Sequence, residues 1–321
     1  MNYIVFDLEW NQSSKPGGEN DLMPFEIIEI GAVKLNSKFN IIDEYGSIIR
    51  PQIYTRLQSR IREMLNYDES LLKTGRHFDI VCKEFLEWCG EDYIFCTWGP
   101  LDLYYLQQNM DFYMMPPLEK PLRFYNLQDI FEMYFPDLGA CRLEKAVDHL
   151  DIISDQPFHS AINDARYTGL VMAAMKLRNL NDLYSVDYYN NPKSIDEEVI
   201  SRHKTYSEHI SREFDNKNDA MMDKNLLTLY CAKCNRKIAK KIKWFSNNSS
   251  NYLCVGKCWY HGYVLGKIKF KHTFDDKVFM IKKTQMISKS EMEHIKDRQI
   301  LIREKRKEKN KKSKPNSDSI Q

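Results

Sequence analysis

The stretch Tyr3-Ile4-Val5-Phe6-Asp7-Leu8-Glu9 constrains the fold more than any other part of the chain. Its first four residues are β-branched or aromatic, the composition of a buried strand. Side chains alternate along a strand, so Asp7 and Glu9 share one face while Leu8 turns back into the core. Two carboxylates on one face at the end of a buried strand repel each other. Either one holds a proton or a cation lies between them. For ligands that are all carboxylates the usual cation is Mg²⁺ or Mn²⁺. An acidic strand end in open solvent reads the same way, so the pair takes its meaning from the rest of the chain.

The periodicities that follow describe a mixed sheet. Asn11 to Met23 is a polar loop around Gly17-Gly18, and Phe25–Leu35 and Ile41–Ile49 read as strands. With the first strand they make an antiparallel meander. Arg56 to Leu72 holds short helices. Apolar residues at Phe78, Val81, Cys82, Phe85, Leu86 and Cys89 predict a helix that stops at Gly90. Tyr93–Trp98 is another short buried strand. Helices are predicted over Leu101–Met110, Asn126–Phe135, Leu143–Leu150 and His159–Leu177. This order of strands and helices gives an α/β fold in which helices pack against a mixed sheet.

At 321 residues, with 43% hydrophobic and 29% charged residues, the chain suits about two globular domains. No apolar run approaches the roughly 18 residues of a membrane span. Met1-Asn2-Tyr3 enters a strand without the basic and apolar regions of a signal peptide, so the expected location is cytoplasmic. The net charge of +2 conceals an asymmetry: Leu226 to Gln321 carries 24 Lys+Arg and 8 Asp+Glu, a net of +16, which leaves −14 for Met1 to Asn225. An acidic body with a basic C-terminal third fits a metal-centred body and an appendage that grips a polyanion. A solvated charged tail is the competing reading for the last residues. The expected divisions are a body over 1–180, a linker or helical extension over 181–225, a cysteine module over 226–286 and a basic, disordered tail over 287–321.

Cys82, Cys89, Cys96 and Cys141 lie in apolar surroundings and read as buried thiols. Cys231-x₂-Cys234 and Cys254-x₃-Cys258, nineteen residues apart, have zinc-ribbon-like spacing. Four thiolates suit tetrahedral Zn²⁺, and a site filled by protein ligands is structural. His261 is the alternative ligand for one of the cysteines. Lys233, Arg236, Lys237, Lys240, Lys241 and Lys243 surround the first pair, beside Trp244 and Phe245. Basic charge interleaved with aromatics suits single-stranded nucleic acid, although the same two aromatics would also serve as a small domain's core.

Further acids answer the Asp7/Glu9 pair. Asp102 follows the strand Tyr93–Trp98 and sits in the first turn of the next helix, where a carboxylate either caps or ligates. Asp164 lies one turn into the last long helix, and His159 precedes it on a loop after Pro157-Phe158. Asp7-Leu8-Glu9, Asp102, and the His159-x-Ala161-x-x-Asp164 segment together resemble the three motifs of the DEDDh exonuclease superfamily. Tyr3 to Glu9 and Glu26 to Val33 are most similar to its ERI/KapD-like branch. The resemblance covers about Met1 to Leu180. It departs from the common pattern in the second motif, where Thr97-Trp98-Gly99-Pro100 stands in place of an Asn a few residues before the Asp.

The resemblance implies an RNase H-like fold and metal-dependent 3′–5′ exonuclease activity on RNA or single-stranded DNA, releasing nucleoside 5′-monophosphates. It implies two Mg²⁺ or Mn²⁺ ions held by Asp7, Glu9, Asp102 and Asp164, with Asp7 bridging. His159 is implied as general base, since an imidazole titrates near neutrality. Trp10 is a candidate for stacking on the terminal base. A non-catalytic nucleic-acid-binding protein on a nuclease fold and a polymerase-associated proofreader are the alternatives.

Overall fold

The first strand, β1, runs Asn2–Asn11 and is buried on both faces, as its run of Ile4, Val5 and Phe6 requires. The computed structural model describes residues 1–65, 69–177, 180, 183–204, 206–248, 250–273 and 275–312. Two units are distinct, Met1–Tyr189 and Asn190–Gln321.

In the first unit β1 is followed by β2 (Glu26–Leu35), β3 (Ile41–Ile48), α1 (Ser59–Leu65), α2 (Glu69–Thr74), α3 (Phe78–Cys89) and β4 (Tyr93–Thr97). Then come α4 (Leu101–Phe112), β5 (Arg123–Asn126), α5 (Leu127–Tyr134), α6 (Leu143–His149), α7 (Ala161–Ala174) and β6 (Ser185–Val186). The six strands form one sheet in the order β3-β2-β1-β4-β5-β6. The meander β1-β2-β3 is antiparallel, β4 and β5 run parallel to β1, and β6 is antiparallel to β5. This is the RNase H-like mixed sheet with flanking helices that the sequence pointed to.

Strand alternation sorts the core into two layers. Tyr3 and Val5 of β1, with Val33 and Leu35 of β2, pack with Tyr167, Val171 and Met172 of α7. Ile4, Phe6 and Leu8 face the other way, onto Phe85 of α3 and Leu103 and Leu106 of α4. Asp7 and Glu9 are odd-numbered and so belong to the face that α7 covers.

Helix α7 crosses that face at very short range. A Cβ on Gly31 would lie 2.0 Å from the Ile162 backbone nitrogen, so only glycine fits there. Gly31 is the register partner of Asp7. The close approach therefore sets the start of α7 directly beside the first metal-ligand candidate. Arg166 on α7 forms an ion pair with Glu44 of β3 at 2.7 Å, which leaves Asp164 to the site.

The second unit holds β7 (Val199–Arg202), β8 (Tyr206–Ile210), α8 (Lys217–Met222), α9 (Lys224–Leu227), β9 (Ala239–Ser246), β10 (Asn251–Cys258), β11 (Gly262–His272), β12 (Val278–Ile287) and α10 (Lys289–Lys312). Its sheet has the order β7-β8-β12-β11-β10-β9 and is antiparallel throughout.

Three expected divisions change. The body extends to Tyr189, because Ser185–Val186 adds an edge strand to the first sheet. The expected linker over 181–225 contributes β7 and β8 to the second sheet. Tyr206, Glu208 and Ile210 face inward there, and the charge of Glu208, paired with Lys283 at 3.4 Å, hides the apolar alternation. The expected disordered tail is helical over Lys289–Lys312, where Met292, Ile295 and Ile302 pack onto the core around Ile242, Phe245, Val255 and Leu265. The remainder of that expected tail, 313–321, lies outside the described residues. Among the described residues no helix is long and apolar enough to cross a membrane.

Candidate active site

The carboxyl end of β1 is where two helices arrive from opposite faces of the sheet, each with an aspartate in its first turn. Asp102 opens α4 and Asp164 opens α7. A helix N-terminus favours a carboxylate. Asp7, Glu9 and Asp164 each offer an oxygen, and these oxygens lie within 4.8 Å of one another. Asp102 stands outside that trio but lines the same cavity, and its Oδ1 accepts the Leu8 backbone N–H at 3.3 Å. The cavity measures about 320 Å³ and is bounded by Asp7, Glu9, Trp10, Asp102, Gln128 and Asp164, among others. The structure thus brings together all four expected acids.

Burial dominates the electrostatics, and the crowding of like charge adds to it. Burial raises Asp7 well above the usual carboxylate range, and the charges of Asp102, Glu9, Asp164 and Glu29 push it further. Burial, with Asp164, Glu29 and Asp102 adding to it, lifts Glu9 to about 9. Asp102 is raised to about 7 by burial against the pull of the Leu8 N–H. Burial also lifts Asp164 to about 7, although the His159 backbone N–H donates to its Oδ2 at 3.1 Å.

The buried atoms of this donor set suit a divalent ion. Oδ1 of Asp164 and Oε2 of Glu29 are buried with no hydrogen-bond partner. A buried carboxylate oxygen without a donor is costly. A hard divalent cation among oxygen ligands would satisfy it, so the residues fit Mg²⁺ or Mn²⁺.

These shifts give a pH dependence with a definite sign. The folded chain binds more protons than the unfolded chain between the ordinary Glu value of 4.5 and the value of about 9 for Glu9. Stability must then fall as pH rises through that window. Without divalent ions, the calorimetric midpoint of the first unit is expected to drop steadily over this range. Added Mg²⁺ should flatten the dependence by offsetting the charge. A midpoint that climbs with pH in the absence of Mg²⁺ would mean that the acids do not converge.

His159 sits at the site's edge. Its backbone is in the left-handed region at φ 64, and its Nε2 lies 3.9 Å from Glu144 Oε1. A non-glycine residue held at positive φ is uncommon and marks a constrained position. The ring is directed to Glu144 and does not line the cavity. Trp10 does line it, packed edge-on to Phe25 and against Tyr105, at centroid distances of 6.3 and 4.9 Å. A register shift between Glu9 and Trp10 re-aims the strand here.

Glu29 was not anticipated as part of the site. It pairs in register with Glu9, is buried, and lies at about 7, raised by burial against hydrogen bonds from the Ala161 and Ile162 backbone and the Ser160 hydroxyl. It thus ties the start of α7 to β2. Antiparallel register opposite Glu9 was the available signal.

A family model described as Exonuclease (RNase_T) matches residues 4–172, more than half of the chain. The chain belongs to this exonuclease family. The match spans the three motifs and ends inside α7, so all four acids and His159 fall within the exonuclease domain. No curated protein sequence matches. Among solved structures the exonuclease chain is similar to a full-length 3′-exonuclease at 17% identity, with a TM-score of 0.48, covering 55% of this chain and 81% of that one. It is similar to the nuclease domain of 3′hExo, a DEDDh family member bound to rAMP, at 20% identity and a TM-score of 0.48, over 58% of this chain and 96% of that one. It is also similar to S. pombe Pop2p in its Mg²⁺- and Mn²⁺-bound form, at 14% identity and a TM-score of 0.45, over 58% and 89% of the two chains.

A second donor cluster lies within the second unit. Cys231, Cys234, Cys258 and His261 each present a ligand atom within 4.8 Å of the others. His261 Nδ1 is 3.5 Å from Cys231 Sγ and 3.6 Å from Cys258 Sγ. Cys254, expected as a ligand, is not in the cluster. The Cys254-x₃-Cys258 segment is a strand and not a turn, so the Cα atoms of its two cysteines stand ~13 Å apart along β10. Gly256 lies between them, with Leu229 Cδ2 only 2.7 Å from where its Cβ would be. Burial drives Cys254 up to about 12, the mark of an inert core thiol. For Cys258 burial is outweighed by the N–H groups of Tyr260 and His261 and by Cys231 and His261, which hold it down at about 6.

Proposed function

We propose that the protein is a metal-dependent 3′–5′ exonuclease of the ERI/KapD-like branch that removes nucleoside 5′-monophosphates from the 3′ end of RNA or single-stranded DNA. The convergence of Asp7, Glu9, Asp102 and Asp164 in one cavity carries the reading. These four residues would hold two Mg²⁺ or Mn²⁺ ions. When bound, such ions polarise the phosphodiester and lower the pKa of water. His159 takes the proton that the attacking water loses, at its imidazole, and Glu144 lies 3.9 Å from its Nε2. Trp10 receives the terminal base on its ring face. In the second unit Cys231, Cys234, Cys258 and His261 would hold a structural Zn²⁺. Thiols kept ready for a metal require a reducing compartment, which supports a cytoplasmic location.

The test is degradation of matched single-stranded RNA, single-stranded DNA and duplex, each labelled at the 3′ or the 5′ end, with and without Mg²⁺ or Mn²⁺. The 3′ label is expected to appear first, as a mononucleotide, and only with the divalent ion. Early release of the 5′ label, or activity that persists in excess chelator, overturns the proposal.

A further inference from the structure

The turn between β10 and β11 carries Trp259 and Tyr260, which are 92% and 69% exposed. Trp259 is the most exposed aromatic side chain among the described residues. A large aromatic ring left in water next to a second one is the kind of surface that binds something.

The turn is also clamped. Cys258 before the pair and His261 after it both belong to the donor cluster. Across from them, Asn235 adopts a left-handed conformation at φ 53 and closes the Cys231-x₂-Cys234 turn. Two aromatic rings are therefore presented from a support that a single ion would fix at both ends.

Charge identifies the partner. The Arg236 guanidinium lies 5.0 Å from the Tyr260 ring centroid, and Lys257 Nζ lies 5.4 Å from that of Tyr263. Lys233, Lys237, Lys240 and Lys241 are exposed on neighbouring positions. From Leu226 to Thr273 the sequence has ten Lys+Arg and no Asp or Glu. We infer that the Trp259–Tyr260 turn is a stacking platform for single-stranded nucleic acid, flanked by cations that track its phosphates. Single strands offer free base faces to aromatic rings, and a basic groove follows their backbone. A duplex keeps its bases stacked on each other, and an acidic peptide would meet the charge but leave both ring faces without planar partners. The aromatics that the sequence pointed to serve otherwise: Phe245 is core, and Trp244 Nε1 donates to the Leu227 carbonyl at 3.1 Å.

The inference rests on the nuclease reading only for the identity of the polyanion. It is tested on the full chain carrying Asp7→Asn, so that the probe survives. Fluorescence anisotropy is read with a 20-nucleotide poly(U) strand, poly(dT) strand and a 20-base-pair duplex. Adding Trp259→Ala and Tyr260→Ala is expected to weaken single-strand binding about tenfold or more, with a much smaller change for duplex. Arg236→Ala is expected to lower the slope of log affinity against log salt by about one. Bound zinc, measured on each variant by native mass spectrometry, should stay at the parent's level and so excludes local unfolding. Single-strand affinity unchanged in the double variant overturns the platform, and would leave the exposed pair to a protein partner. Binding that is lost as expected, in a chain that degrades no oligonucleotide before Asp7 is changed, upholds the platform and sinks the nuclease reading instead.

Discussion

Asp7→Asn is expected to lower nucleotide release by at least about 10²–10³-fold, the scale of removing one group that stabilises developing charge. The same variant should be more stable than the parent when no divalent ion is present. Asp7 is buried among Glu9, Asp102, Asp164 and Glu29, and every one of them raises it. Replacing it with a neutral side chain of the same shape removes like-charge repulsion and leaves position 7 paired with Gly31 and Leu8 with Ile30. Loss of activity with a gain in thermal midpoint is the signature of a site that holds strain for function. His159→Ala should separate from it. The His159 side chain is not among the groups that converge on the cavity, so Mn²⁺ binding by calorimetry should survive while turnover drops by about 10²–10⁴-fold. An Asp7→Asn protein that digests a 3′-labelled strand at the parent's rate would falsify the assignment of the site.

The first unit was legible because its signals are local. The buried run Tyr3–Phe6, the helical stripe from Phe78 to Cys89 and the start of α7 can each be read within a dozen residues. Four acids on three elements could be collected because each sits at the junction of a strand or helix end, where the pattern changes. Glu29 escaped because its meaning lies in its register opposite Glu9, a contact between strands that no single window contains. Strands β7 and β8 escaped for a related reason. Glu208 occupies an inward position beside the half-buried Lys283, and such an ion pair looks in sequence like a solvated loop. Helix α10 looks like a tail in sequence because its apolar stripe is only Met292, Ile295 and Ile302 among many charges. The stripe has meaning only against a sheet whose own strands were partly unseen.

The four cysteines show how far spacing alone reaches, and opposite outcomes are expected from two substitutions four residues apart. Cys258→Ser should lose the bound zinc, whereas Cys254→Ala should keep it. A pair of cysteines can share one ion only if the chain between them turns. Cys231 and Cys234 satisfy this, since the Asn235 N–H donates to the Cys231 carbonyl at 2.8 Å and the Cys231 N–H to the Arg236 carbonyl at 3.0 Å. Cys254 and Cys258 do not, because β10 is extended and pairs without a break to β11 from Asn251 to Cys258. The ring that completes the set comes from His261, three residues on, where the chain does turn. His261→Ala should therefore weaken zinc binding much as Cys258→Ser does. Cys254→Ala instead trims a core thiol packed near Gly266 and Trp244, at a stability loss of about 1 kcal/mol. Native mass spectrometry of the three variants decides between the donor sets. Zinc retained by His261→Ala and lost by Cys254→Ala would restore the four-cysteine ribbon and require β10 to break its pairing to β11 between Cys254 and Cys258.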